Sequence, residues 1–162
     1  MHSKVLRTIY TFFVGILLAI FVGVGIAAFY PEPKYPDMPA ELKVMQVPHE
    51  DTKAQKEESE KLLITQREFD QKAKTYEDQL KQYNRNVSII ALAAAILILI
   101  ISLSTFRNLE VIADGLLLGG VITLLYSVVR IFGSGDDKMR FLVVGIGLAT
   151  ALALGYKKIY PA

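Results

Sequence analysis

The sequence predicts an all-α integral membrane protein with four transmembrane helices, the second of which continues into a long, coiled-coil-like extramembrane helix. Three observations predict this fold. Four apolar stretches cover 81 of the 162 residues, only two of the 34 charged side chains lie inside them, and the 66 residues from His49 to Asp114 include neither glycine nor proline. A soluble globular core does not separate apolar from charged residues in this way, so the composition excludes a soluble enzyme.

Residues 1–30 are predicted to form an N-terminal tail and the first transmembrane helix. The apolar stretch from Thr8 to Tyr30 has 23 residues, whereas about 20 suffice to cross the hydrocarbon core. The basic start at Lys4 and Arg7 also fits a cleaved signal peptide. The stretch is longer than the roughly 7–15 apolar residues of a signal-peptide core, so we expect an uncleaved signal anchor.

Residues 31–49 are predicted to be an extended linker, and residues 50–86 a solvated stalk helix. Prolines follow the first span closely and stop its helix, because proline lacks the backbone N–H that a helix interior needs; they are Pro31, Pro33, Pro36 and Pro39. In the stalk, acids precede bases by four residues, an order that stabilises helices; the pairs are Glu57 and Lys61, Glu68 and Lys72, Asp70 and Lys74, and Glu77 and Lys81.

Apolar residues recur every seven positions along the stalk and form a seam, interrupted by the polar Gln66. The seam consists of Leu62, Phe69, Ala73, Tyr76, Leu80 and Tyr83. The pattern continues in phase into the second span, so we predict one helix from about Glu50 to about Phe106. The sequence leaves three alternatives for what covers the seam: further copies of the chain in a dimeric or trimeric coiled coil, a helix of a partner, or the chain's own proline linker.

The remaining chain is predicted to form three spans joined by short connections. These are the second span at 87–106, a tight turn and the third span at 107–132, a loop at 133–140, and the fourth span with a short basic tail at 141–162. Asn108 is a suitable N-cap for the third span. The fourth apolar stretch is short, but Arg140 and Lys157 at its ends can extend towards the headgroups.

We predict that both termini are cytoplasmic and that residues 31–86 are extracytoplasmic. A short basic tail before the first apolar span usually stays in the cytoplasm. The overall count of bases opposes this orientation, because ten of the 18 lysines and arginines lie within residues 31–86. That segment is long and its acids nearly balance its bases, however, and long segments translocate largely regardless of charge.

Small residues at four-residue spacing mark faces on which another helix can pack closely. These candidate packing residues are Gly15, Ala19, Gly23 and Ala27 in the first span, Gly115 and Gly119 in the third, and Gly145, Ala149 and Ala153 in the fourth. The faces fit two interpretations, namely packing of the four spans against each other or contact with another subunit or partner.

Asp114 and Arg130 are the two charged residues inside the apolar stretches and form a possible ion site. The alternative is structural: Asp114 pairs with Arg107 at the membrane interface, and Arg130 extends out of the membrane towards Asp136 or Asp137. Three polar residues of the third span lie in its outer half, and such residues more often bond a neighbouring helix than line a pore; they are Thr123, Tyr126 and Ser127.

The sequence contains no signature of catalysis, of a metal site or of a cofactor. It has no cysteine, its two histidines are far apart, and its net charge of +2 is too small to indicate nucleic-acid binding. We therefore predict a non-enzymatic membrane scaffold or accessory subunit, whose partners are the lipid bilayer and itself or another membrane protein. The alternative is a small oligomeric channel or transporter that uses Asp114.

Overall fold

A computed structural model of the chain describes residues 2–43, 53–104 and 109–159. Every regular element within these ranges is an α-helix: α1 (His2–Phe29), α2 (Ala40–Lys43), α3 (Lys53–Ser104), α4 (Glu110–Phe132) and α5 (Asp137–Ile159). Four of them, α1, α3, α4 and α5, contain a segment long and apolar enough to cross a membrane. The prediction of an all-α chain with four candidate transmembrane helices is confirmed, and it indicates a multi-pass membrane protein.

The observed helix boundaries agree with the prediction of one continuous second helix, but they differ from the prediction for the linker. α3 runs without a break through residues 84–88, where the charged segment becomes apolar. The predicted ends of this helix at Glu50 and Phe106, and the linker residues 44–49, lie outside the described residues. The linker is not extended throughout, because α2 forms one helical turn after Pro39, over residues that favour a helix.

The chain divides into two units, of which the stalk unit comprises Pro33–Leu80. Within this unit the ring of Tyr35 packs edge-on against Phe69 and Tyr76, with ring centroids 6.3 and 5.1 Å apart. At these two positions the seam therefore faces the chain's own linker, one of the three predicted occupants. The described part of this unit contains no second long helix beside the seam, and the coiled coil stays a prediction.

The bundle unit comprises Met1–Glu32 and Lys81–Ala162. α4 runs parallel to α1, since Gly115 faces Val14 and Gly119 faces Leu18. On its other side, α4 is antiparallel to the last part of α3 and to α5. Two clusters of buried apolar side chains join these three helices; one contains Leu92, Ile131 and Val143, and the other Ala95, Leu99 and Leu124. α4 therefore contacts each of the other three helices of the bundle.

The ends of α4 and α5 show how the chain turns at the bundle surface. Leu109 occupies the N-cap position of α4 and makes no side-chain capping bond. The predicted cap Asn108 is thus one residue too early, and it lies outside the described residues. Gly135 has a φ of +69°, a conformation that glycine adopts readily. The Asp136 carboxylate then caps α5 by accepting the backbone N–H groups of Lys138 and Met139, both at 3.1 Å.

Candidate functional site

Three of the predicted small residues form the contact between α1 and α4. A β-carbon built on Gly15 would lie 2.9 Å from the side chain of Leu118, and one on Gly119 would lie 2.8 Å from Leu18. One on Gly115 would lie 2.9 Å from Val14. Because ordinary contacts are at 3.4–4 Å, a larger residue at these positions would force a neighbouring side chain or helix to shift. This part of the small-residue pattern therefore packs the helices of one chain.

The other predicted small residues lie outside that contact. Ala19 and Gly23 are half-buried, whereas those on the outer surface are exposed, namely Ala27, Gly145, Ala149 and Ala153. A β-carbon on Gly23 or Gly145 would meet nothing within 4 Å. These positions are open to lipid or to another protein. Gly120 was not predicted as a packing residue, yet a β-carbon there would lie 2.6 Å from Leu99. The adjacent glycines 119 and 120 were the available signal, because neighbouring residues face different sides of a helix.

Asp114 belongs to a charged cluster at the beginning of α1 and α4. The Arg7 guanidinium lies 2.7 Å from the Glu110 carboxylate and 3.3 Å from the Asp114 carboxylate. The predicted partner Arg107 lies outside the described residues. Arg7 was not predicted as a partner, because the sequence does not indicate that α1 lies beside α4. One guanidinium here contacts two acids that are one helical turn apart.

Arg130 belongs to a second cluster, at the other end of α4. Its guanidinium lies 3.8 Å from the Glu32 carboxylate and 5.1 Å from the ring centroid of Tyr83. Tyr83 is 5% exposed and stacks on Tyr30, with ring centroids 5.3 Å apart. Tyr30 also accepts a 2.9 Å hydrogen bond from the Asn86 side chain. This cluster fixes the chain where it leaves α1.

The predicted partners of Arg130, Asp136 and Asp137, have other roles in the structure. Asp136 caps α5, and Asp137 forms a 2.7 Å ion pair with Arg140. The prediction was wrong here, because both acids begin the next helix and serve its first turn. Asp114 and Arg130 are about 24 Å apart along α4 at 1.5 Å per residue, so they do not form one site.

Hydroxyl groups connect α3 to α4 inside the bundle. The Ser88 hydroxyl donates to the Ser127 carbonyl oxygen at 2.9 Å, and the Ser127 hydroxyl donates to the Ser88 carbonyl oxygen at 2.8 Å. The Ser102 hydroxyl donates to the Ala113 carbonyl oxygen at 2.7 Å. The expectation that Ser127 bonds a neighbouring helix is confirmed. Thr123 instead donates to the Gly119 carbonyl oxygen of its own helix.

The predicted seam residues are distributed over both units. Phe69, Ala73, Tyr76 and Leu80 are half-buried within the stalk unit, whereas Tyr83 is buried within the bundle unit. Leu62 is exposed, and so are its neighbours Leu63 and Ile64. The heptad pattern missed these two neighbours, since they lie off the seam.

The described side chains include no group of three histidine, aspartate or glutamate residues that would suit a metal ion. Comparison of the chain with known protein families, with curated proteins and with solved structures finds no match. The surfaces and contacts of the molecule therefore carry the evidence on its function.

Proposed function

We propose that the protein is a non-enzymatic membrane scaffold or accessory subunit. It packs with itself or with a partner membrane protein through small-residue helix faces within the membrane and through the stalk part of α3. One observation carries this proposal: the stalk presents an exposed apolar patch formed by Leu62, Leu63 and Ile64, which are 38%, 52% and 56% exposed.

This apolar patch is unusual for a helix in water. Single exposed apolar residues are common on soluble surfaces, but three in succession are unfavourable unless they serve an interaction. Successive residues of a helix are about 100° apart, so the patch extends over more than half of the helix circumference. The residues around it are mostly charged or polar. A binding partner that covers the patch would remove this apolar surface from water, which is favourable.

Small residues on the outside of the bundle support contacts within the membrane. Gly23 on α1 and Gly145 on α5 have open space where a β-carbon would point. Helices approach each other closely in membranes at such positions, because packing replaces the hydrophobic effect as the driving force. α5 also exposes Ala149 and Ala153, so its outer face fits a helix of a second protein.

The proposed orientation places both termini in the cytoplasm and residues 31–86 outside it. The parallel arrangement of α1 and α4 supports a topology in which the N-terminus, the connection between α3 and α4, and the C-terminus share one side. The basic residues Lys4 and Arg7 favour the cytoplasm for that side.

Site-specific photocrosslinking in native membranes tests the scaffold proposal. A photoreactive amino acid at Leu63 should trap a partner or a second copy, whereas the same amino acid at Lys74 should trap much less. Both residues are exposed and belong to the stalk unit, so Lys74 is a matched control. Mass measurement of the protein purified in mild detergent then gives the stoichiometry. Equal crosslinking at the two positions, or none with a monomeric mass, would contradict the proposal.

Transport through a small oligomeric channel is the competing proposal, since Asp114 is a carboxylate within a candidate span. The pairing of Asp114 with Arg7 favours a structural role for this carboxylate. The bonded hydroxyls of Thr123 and Ser127 also favour the scaffold, because they are engaged within the bundle. Ion flux into reconstituted vesicles distinguishes the two: flux that Asp114→Asn abolishes would support transport, and flux that is absent or unchanged would count against it.

A further inference from the structure

A groove opens between α3 and α5 on the outside of the bundle unit. Aliphatic side chains line most of its length, among them Ile96 and Ile100 of α3 and Ala153 and Leu154 of α5. Leu154 also packs against the buried cluster around Leu99, so α5 is held to the bundle beside the groove. Ala153 lies in the groove with only a methyl group, which leaves space that a larger side chain would fill.

The groove is polar at one end. Ser104, at the end of α3, and Lys157, near the end of α5, both line it. This is the end of the bundle at which α1 begins, where a membrane span meets the headgroups. Lysine side chains at such positions extend their ammonium groups to the interface. Among its described lining residues, the groove therefore combines a mainly apolar wall with the cation of Lys157 and the hydroxyl of Ser104 at headgroup level.

The positive charge of Lys157 distinguishes this groove from a second one near the same end. That second groove lies between α1 and α4 and is lined by Leu6, Phe13 and Val111 together with Arg7. Its cation is already shared by two carboxylates. Among the described side chains no carboxylate pairs with Lys157. Of these two grooves in the bundle unit, the one between α3 and α5 offers a cation that the described acids leave unneutralised.

We propose that this groove binds an anionic phospholipid. One acyl chain lies along the aliphatic wall beside Ala153, and the phosphate contacts the ammonium group of Lys157 and the hydroxyl of Ser104. The amphipathic arrangement of the groove matches that of a lipid, and its charge is opposite to that of the headgroup. This inference goes beyond the scaffold function and does not depend on the stalk. A lipid in the groove would cover Ala153 and would leave Gly145 and Ala149 as exposed small residues of α5 for a partner helix.

Native mass spectrometry of the full-length protein in mild detergent tests the charge of the site. The protein is mixed with equal amounts of phosphatidylglycerol and phosphatidylcholine that have identical acyl chains. We expect the phosphatidylglycerol adduct to be favoured about fivefold, which is the contribution of one lysine near an anionic headgroup. Lys157→Gln should remove this preference. Lys138→Gln should keep it, since Lys138 is an exposed lysine at the opposite end of the same helix.

A second pair of variants tests the apolar wall. Ala153→Phe should fill the groove and lower the amounts of both lipid adducts. Ala149→Phe adds the same side chain at an exposed position that does not line the groove, and it should leave both adducts unchanged. Helix content and elution volume show whether each variant is folded; if Ala153→Phe is not, the lysine variants decide alone. Equal adducts of the two lipids in the parent protein, or equal effects of the two lysine variants, would overturn the proposal.

Discussion

Replacement of Gly119 by alanine tests whether α1 and α4 pack through their glycines. The added methyl group would lie 2.8 Å from Cδ2 of Leu18 and 3.0 Å from the carbonyl oxygen of Gly15. The leucine can change its rotamer, but the carbonyl belongs to the backbone of α1. The two helices must therefore move apart by several tenths of an ångström before the methyl group fits.

The expected loss of stability follows from two opposing effects. Overpacking of this kind costs about 1–3 kcal/mol. Alanine is the better helix former and returns up to about 1 kcal/mol. Relative to a glycine-to-alanine change that meets no neighbour, Gly119→Ala should therefore lower the free energy of unfolding by about 1–3 kcal/mol. For a chain of this size, that lowers the melting temperature by about 2–12 °C relative to such a control.

Thermal unfolding in mild detergent, followed by circular dichroism, measures this effect against two related variants. Gly145→Ala is the matched control, because its methyl group meets nothing within 4 Å, and it should leave the melting temperature unchanged or raise it. Gly15→Ala should be intermediate, since the three atoms nearest to its methyl group all belong to the side chain of Leu118 and none to the backbone. If Gly119→Ala and Gly145→Ala melt at the same temperature, the described packing of α1 against α4 is wrong.

Three further predictions concern polar and aromatic contacts. Arg7→Gln should lower the melting temperature more than Asp114→Asn, because loss of the arginine leaves the Glu110 and Asp114 carboxylates one turn apart without the guanidinium that both contact. The difference between the two variants should shrink at high salt, and equal melting temperatures at low salt would refute the prediction. In a double-mutant cycle of unfolding, Ser88→Ala and Ser127→Ala should each cost about 0.6 kcal/mol. The two effects should be coupled, because the hydroxyl oxygens also lie 3.2 Å from each other, and full additivity would argue against this contact. Tyr35→Ala should speed proteolysis of the linker severalfold, because each aromatic pair contributes about 0.5–1.5 kcal/mol. An unchanged cleavage rate would show that the ring contacts do not hold the linker.

The four helices were predictable because their signals are local. An apolar run of sufficient length identifies a candidate span without knowledge of its neighbours, and in α3 the absence of glycine and proline adds to this signal. The continuity of α3 through residues 84–88 follows from the same signals. The start of α4 was predicted less accurately. Leu109 occupies the N-cap position without a side-chain capping bond, so the sequence has no typical capping residue at that position.

The pairing of distant residues was not predictable, because it depends on which helices are neighbours. Arg7 and Asp114 are 107 positions apart in the sequence, and they meet because α1 lies beside α4 and parallel to it. Glu32 reaches Arg130 for the same reason, at the other end of these helices. The seam residues posed a related problem, since a seven-residue period indicates that a face is covered but does not identify what covers Tyr76.

The central position of α4 has a consequence for biosynthesis. The ribosome makes α1 before α4, yet the glycine contact of α1 needs α4, which follows about 80 residues later in the sequence. The nascent α1 must therefore wait in the bilayer, or be held by insertion factors, until synthesis has passed Phe132. A chain that terminates in the connection before α4 would leave both earlier spans without the helix that joins them, and would be a natural substrate for membrane quality control.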